Sequence, residues 1–160
     1  MFTMINNIWK WLYSKRNEVA QLQYRDLLMA QIVMEIMNVN DGNGFEYLPL
    51  DSLRQLHPVD NREDTIASTE LRSKTIERKR KALIKKKRLS KEDVAELMPS
   101  VTYMRAIPAK DGYIVFEGNG RLVALQNVLS GHGVLVELDV YRPTRHAAIL
   151  RKIKRLSRYY

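Results

Sequence analysis

The sequence predicts an α/β fold of the α+β kind, a small mixed sheet with helices before, within and after it. Three observations lead there. Apolar residues recur at helical spacing in several stretches, short runs rich in β-branched and aromatic residues lie between them, and glycine-containing turns separate the two. The clearest strand pattern is VLVELDVY at 134–141. With 160 residues, 45% of them hydrophobic, the chain is long enough for one domain with its own core.

Placed at 100° steps, Phe2, Met4, Ile5, Ile8, Trp9, Trp11, Leu12 and Tyr13 share one broad arc, which predicts an amphipathic first helix. A second helix is expected from about 15 to 38. Its later part, LLMAQIVMEIM, is apolar on nearly every side, the pattern of a helix packed by neighbours on several faces. The NDGNG run at 40–44 is a turn that ends it. FEYLPL at 45–50 reads as a short strand, DSLR at 51–54 as a capped helical turn, and 57–62 as loop. From 64 to about 89 a long basic helix is expected around Ile66, Leu71, Ile76, Leu83 and Ile84, and Ser90 with Asp93 opens a short helix that closes before Pro99. Strands follow at 101–107 and 113–117, joined by PAKDG with its Asp-Gly hairpin signal. Gly118-Asn119-Gly120 breaks the second of them, and RLVALQNVL at 121–129 carries Leu122, Leu125 and Leu129 at helical spacing. After the 134–141 strand, Thr144 is expected to cap a last helix with Ile149, Ile153 and Leu156 inward and Arg151, Lys152, Lys154, Arg155 and Arg158 outward.

Charge is unevenly distributed. The 27 Lys and Arg against 18 Asp and Glu leave +9, but residues 1–60 carry 5 basic and 7 acidic side chains, residues 61–100 carry 12 and 7, and residues 101–160 carry 10 and 4. A polyanionic partner should therefore meet the last hundred residues. The absence of cysteine excludes disulfides, thiolate nucleophiles and Cys-ligated metal sites, and a cytoplasmic location is the expectation. The first residues lack the pattern of a secretory leader, and the longest apolar stretch, 27–37, is interrupted by Gln31 and Glu35, so no transmembrane segment is expected.

The motif that carries chemistry is VFEGNGRLVAL at 115–125, a strand that breaks at a glycine-flanked turn and enters a helix. Glycines let the backbone turn sharply, the first helical N–H groups lack internal acceptors, and the helix dipole adds partial positive charge there. Gly118, Asn119, Gly120 and Arg121 thus form a candidate phosphate cradle, with Arg121 supplying a forked cation. The other reading of Arg121 is an ion pair with Glu117 or Asp111. Neither the Walker nor the dinucleotide glycine motif is present.

The stretch DGYIVFEGNGRLVAL at 111–125 resembles the second conserved box of the ParB/sulfiredoxin-like superfamily, where a strand delivers a G-x-x-R turn and a small-residue helix. YLPLDSLR at 47–54 resembles the family's opening strand and turn, and Asp60-Asn61-Arg62 stands where members often have Asn-Pro-Arg. The resemblance covers roughly residues 45–143. It implies a ParB/sulfiredoxin-like domain there with a basic helical insertion at about 63–98, an N-terminal helical extension at 1–44 and a basic C-terminal helix at 144–160. It also implies that Gly118 and Arg121 contact phosphate, and that the ligand is a nucleotide or another phosphorylated molecule, with Mg as the accompanying ion. Phosphoester hydrolysis or phosphotransfer would use a carboxylate: Glu117, or one after the opening strand, Asp60 foremost, with Glu63 and Asp64 as neighbours. The chain departs from the family in having Gly120-Arg121 where chromosome-segregation members have paired arginines, and Asn119 where sulfiredoxins have their cysteine. Sulfinic acid reduction is excluded, because it requires a thiolate.

A competing reading is a non-enzymatic accessory protein that contacts DNA or RNA through its basic helices. Arg78, Lys79 and Arg80, then Lys85, Lys86, Lys87 and Arg88, are dense enough to attract phosphates, and no aromatics are interleaved among them, which favours backbone contact without sequence preference. The same run also reads as a solvated helix face. His57, His132 and His146 have no metal-ligand spacing, so no metal site is assigned. The aromatic N-terminal helix is expected to pack on the domain or to mediate self-association.

Overall fold

The computed structural model describes residues 24–58 and 63–160. The expected first helix, residues 15–23 of the second, and Asp60, Asn61 and Arg62 lie outside the described residues. In chain order the elements are α1 (24–38), β1 (Asn40–Pro49), β2 (Leu53–Gln55), α2 (Glu63–Lys86), β3 (Arg88–Leu89), α3 (Lys91–Leu97), β4 (Arg105–Ala109), β5 (Gly112–Glu117), α4 (Asn119–Leu129), β6 (Leu135–Pro143) and α5 (His146–Leu156). The α/β (α+β) class is thus the observed one, with five helices and a mixed sheet of six strands among the described residues.

The strand with the best alternation, β6, is the spine of the sheet, whose order is β1-β6-β4-β5-β2. One flank of β6 is antiparallel to β1 along its whole length. The other flank is shared between two parallel partners, β3 at Leu135 and Val136 and β4 at Asp139 and Val140. β4 and β5 form the expected hairpin, with Ala109 opposite Gly112, and β2 runs parallel to β5 at the edge.

Alternation in the strands divides the core in two. Val136, Leu138 and Val140 of β6, with Leu48, Ala106 and Val115, face a layer built from α2, α3 and α4. At the centre of that layer, α4 buries Leu122, Ala124, Leu125, Val128 and Leu129. On the opposite face Ile107, Ile114, Phe116 and Tyr141 meet Leu28, Ile32 and Ile36 of α1 and Ile149, Ile153 and Leu156 of α5. The inward set expected for α5 is the observed one. Across this layer Lys152 pairs with Glu35, and Tyr159 packs its ring on Tyr24.

Several expectations are corrected, each for a local reason. Residues 40–44 are the start of β1 and not a free turn: Gly42 adopts φ 138° at an irregularity between Asn40 and Asn43, and Asn40 Oδ1 accepts the N–H of Gly42 (3.0 Å) and of Arg142 (3.1 Å), standing in for ladder bonds. The capped turn at 51–54 is a single 3-10 turn over Leu50–Ser52, after which Leu53 and Arg54 pair with β5. The long basic helix stops at Lys86 because Lys87 takes a left-handed conformation, φ 64°, unusual for a residue with a side chain, and turns the chain into β3. The strand expected at 101–107 begins only at Arg105. Thr144 does not cap α5; its hydroxyl bonds the Val39 carbonyl, and Arg145 occupies the cap position. Among the described residues α1 packs one stripe and not several faces, leaving Leu27, Met34 and Met37 exposed.

α3 follows its sequence signal closely. Ser90 and Asp93 form a reciprocal capping box, and Lys86 pairs with Asp93 at 2.6 Å. Burial would raise the Asp93 pKa, but the Lys86 ammonium and the Ser90 N–H and hydroxyl outweigh it and hold the carboxyl below its ordinary 3.8. A lowered folded pKa contributes stability that is present above the unfolded value and is lost as pH falls through the folded one. We therefore expect Ser90→Ala to cost about 1 kcal/mol in urea unfolding at neutral pH, and Asp93→Asn to be destabilising at pH 7, with its difference from wild type shrinking progressively as pH falls below the unfolded value of about 3.9.

Candidate functional site

β5 leaves the sheet at Glu117, and the next residue decides the direction of α4. Gly118 is left-handed, φ 91° and ψ 28°, and its carbonyl accepts the first helical bond from Leu122 N–H at 3.0 Å. A Cβ at Gly118 would stand 2.8 Å from Met104 Cγ and 2.9 Å from Arg121 Nη2. Glycine is thus required twice, for the backbone angle and for the space filled by the guanidinium of the residue three positions on.

Arg121 is only 6% exposed. Its Nη1 donates to the Thr102 carbonyl at 2.7 Å, and the Thr102 hydroxyl donates to Glu117 Oε1 at 3.1 Å, so the segment before β4 is stitched to both sides of the corner. Burial pushes the Arg121 pKa down; the Glu117 charge opposes this and the nearby Arg72 adds to it. Arg121 therefore sits beside Glu117 and not Asp111, inside the fold and not as a surface pair. Asp111 is exposed in the β4–β5 turn.

Asn119 and Gly120 open α4 with no side-chain cap, so their N–H groups have no partner within the helix. Asn119 is 9% exposed and its Oδ1 is buried without a hydrogen-bond partner. A Cβ on Gly120 would come within 2.9 Å of Arg72 Nη1, which shows how closely α2 brings a second cation to this helix end. Beside the corner lies a pocket of about 500 Å³, with Met29, Val33 and Met34 of α1 on one wall and His57, Phe116, Glu117, Gly118 and Asn119 on the other. His57 stacks on Tyr160 with centroids 5.8 Å apart, and its Nδ1 lies 2.8 Å from the Pro58 carbonyl. With the proton on Nδ1, Nε2 is a lone-pair acceptor.

Of the residues singled out in the sequence, Glu117, Gly118 and Asn119 line this pocket, Gly120 adjoins it in the chain, and Arg121 lies beneath them. Asp60 lies outside the described residues; Glu63 and Asp64 are exposed at the start of α2. The basic run is not part of the corner: from Arg72, helical rise puts Arg78 about 9 Å and Lys86 about 21 Å further along α2. Much of it is engaged elsewhere. Lys79 pairs with Glu96, Arg80 with Glu77 and Lys86 with Asp93, while Lys87 Nζ donates to the His132 carbonyl. Among the described residues no group of three or more His, Cys, Asp or Glu side chains is placed to hold a metal ion, and no helix is long and apolar enough to cross a membrane.

Arg72 and His57 were not readable as site residues. Arg72 does occupy a core-side helical position, three residues after buried Thr69 and four before buried Ile76, a spacing that separates it from the solvent-facing cations. Nothing local distinguishes His57.

No protein-family model, curated protein or solved structure compared with the chain matches it.

We expect Gly118→Ala to lower stability by at least about 1–2 kcal/mol from the backbone angle alone, with a further loss from the contacts at Met104 and Arg121. Gly131→Ala, which also has positive φ (76°) but open space around the added methyl, is the control: it should pay only the backbone cost in the same unfolding measurement.

Proposed function

We propose that the chain binds a phosphorylated ligand the size of a mononucleotide in the pocket between α1 and the β5–α4 corner. The observation that carries this is the unpaired Asn119 Oδ1, buried at the open end of α4 in the wall of a pocket of about 500 Å³. A helix N-terminus favours an anion, and a buried acceptor without a donor is costly until a ligand supplies one. A nucleotide offers both: a phosphate for the Asn119 and Gly120 N–H groups and Arg72, and a sugar hydroxyl or base N–H for Asn119 Oδ1. Met29, Val33 and Phe116 provide apolar walls for a base.

In this reading Arg121 acts on the ligand through the corner, holding Gly118 and Thr102 in place. Phosphoester hydrolysis or phosphotransfer would draw on His57 Nε2 and the Glu117 carboxylate, the proton acceptors in the lining. The order of strand, G-x-x-R corner and small-residue helix, with YLPL upstream at the end of β1 and the start of the turn after it, supports the ParB/sulfiredoxin-like assignment proposed for residues 45–143.

A second reading, backbone contact with DNA or RNA, is favoured by one surface. Lys74, Arg78, Lys81 and Lys85 are exposed at helical spacings of four, three and four along the outer face of α2.

Calorimetric titration with ATP, ADP, CTP and inorganic phosphate tests the pocket. Wild-type protein should bind at least one nucleotide, and Arg72→Ala and Asn119→Ala should each weaken it about tenfold or more while melting near the wild-type temperature. Absence of binding to every ligand, or equal affinity in the wild type and both variants, would overturn the proposal.

A further inference from the structure

Helices α1 and α5 cover their face of the sheet over β4, β5 and the Tyr141 end of β6, and the β1 side of that face lies outside the cluster they form. Three aromatic rings stand there, Phe45 41%, Tyr47 39% and Tyr103 44% exposed. Phe45 and Tyr103 meet edge to face, with centroids 5.4 Å apart and planes at 88°. Two cations rest on the rings: Lys91 Nζ is 4.1 Å from the Phe45 centroid, and the Arg88 guanidinium is 5.4 Å from that of Tyr47. Lys91 Nζ also pairs with the exposed Glu92 at 3.4 Å, and the two carboxylates on the sheet face itself are engaged. Glu137 Oε2 accepts the Lys91 N–H at 2.9 Å, and Asp139, 7% exposed, accepts the Asn43 side-chain amide at 2.9 and 3.1 Å.

We infer that this face is a binding platform for single-stranded nucleic acid. It is distinct from both the pocket and the α2 row. Every base has a π-face that can lie on an aromatic side chain, whereas a duplex keeps those faces stacked on one another. Phe45 and Tyr47, two residues apart on one strand, are displaced by about 7 Å along it, which suits successive bases drawn apart from each other. The cations on the rings do not block this. At an exposed site such as Arg88 a cation–ring contact is worth about two- to fivefold in an equilibrium, and stacking of one base is worth about five- to 160-fold. A base therefore displaces the cation, which stays tethered beside the ring and turns to the flanking phosphate. Charge favours the same occupant: Arg88 directly continues Lys85, Lys86 and Lys87 at the end of α2, and residues 61–100 carry 12 basic against 7 acidic side chains.

Fluorescence anisotropy with the full chain decides the matter, using labelled single-stranded DNA and RNA of about 12 nucleotides and the corresponding duplex. Wild-type protein should prefer single strands about tenfold or more. Tyr47→Ala and the double variant Phe45→Ala/Tyr103→Ala should each lose about fivefold or more without a change in salt dependence, and Tyr47→Phe, which keeps the ring, should retain affinity. Lys91→Ala should reduce the salt slope. Thermal melting checks that the variants fold, as substitutions at such exposed positions should allow. Equal affinity for duplex and single strand would overturn the platform. So would ring variants that bind like wild type, with affinity lost only when Arg78, Lys81 and Lys85 are changed to Glu, or no single-strand binding at about 0.15 M salt.

Discussion

The packing of Arg121 beneath Gly118 is the constraint on which the rest of the molecule leans. A guanidinium that would ordinarily stay in water is enclosed, and the glycine above it has no side chain because the guanidinium takes that space. This joint sets the angle at which β5 becomes α4. α4 in turn carries five apolar residues into the larger core, and α2 packs along it. Through the bond from Arg121 to the Thr102 carbonyl, the joint also pins the segment that enters β4 and that places Tyr103 against Phe45. A sharp strand-to-helix turn thus fixes one core layer, the end of the pocket and one ring of the exposed sheet face.

The same joint divides labour among the charges. An arginine at a glycine turn invites the view that it reaches for an anion, but enclosure and the Thr102 carbonyl engage Arg121 inside the fold. The open helix end remains, as do a cation from a different element, Arg72, and a buried Asn119 oxygen without a donor. The basic excess likewise resolves into groups with different work. Lys79, Arg80 and Lys86 pair with acids, Lys87 closes a turn, Arg88 lies on a ring, Lys91 both lies on a ring and pairs with Glu92, and Lys74, Arg78, Lys81 and Lys85 remain exposed to solvent.

What the sequence made legible is what short-range physics decides. The capping box at Ser90, the inward set of α5, the β4–β5 hairpin and the glycine corner are all settled within a few residues, and all are where periodicity and turn chemistry place them. What escaped is decided at a distance. β2 and β3 are three and two residues long and exist because β5 and β6 offer edges to them. Lys87 is left-handed because β3 must follow at once. Asn40 keeps a glycine-rich run in a strand by bonding Arg142 N–H, about a hundred residues away in sequence. The site divides in the same way: Glu117 to Arg121 are contiguous and readable, whereas Arg72, His57 and the wall from α1 reach the corner only by folding, as do the three rings of the open face.

The central claim, that the corner is a rigid joint which offers the end of α4 and keeps Arg121 for itself, can be examined one atom at a time. In a 15N NMR titration with a nucleoside triphosphate, it predicts that the amide signals of Asn119 and Gly120 and the side-chain amide of Asn119 shift in saturable fashion, while the Arg121 Nε signal stays in place. Large movement of Arg121 Nε with unmoved Asn119 and Gly120 amides would contradict it.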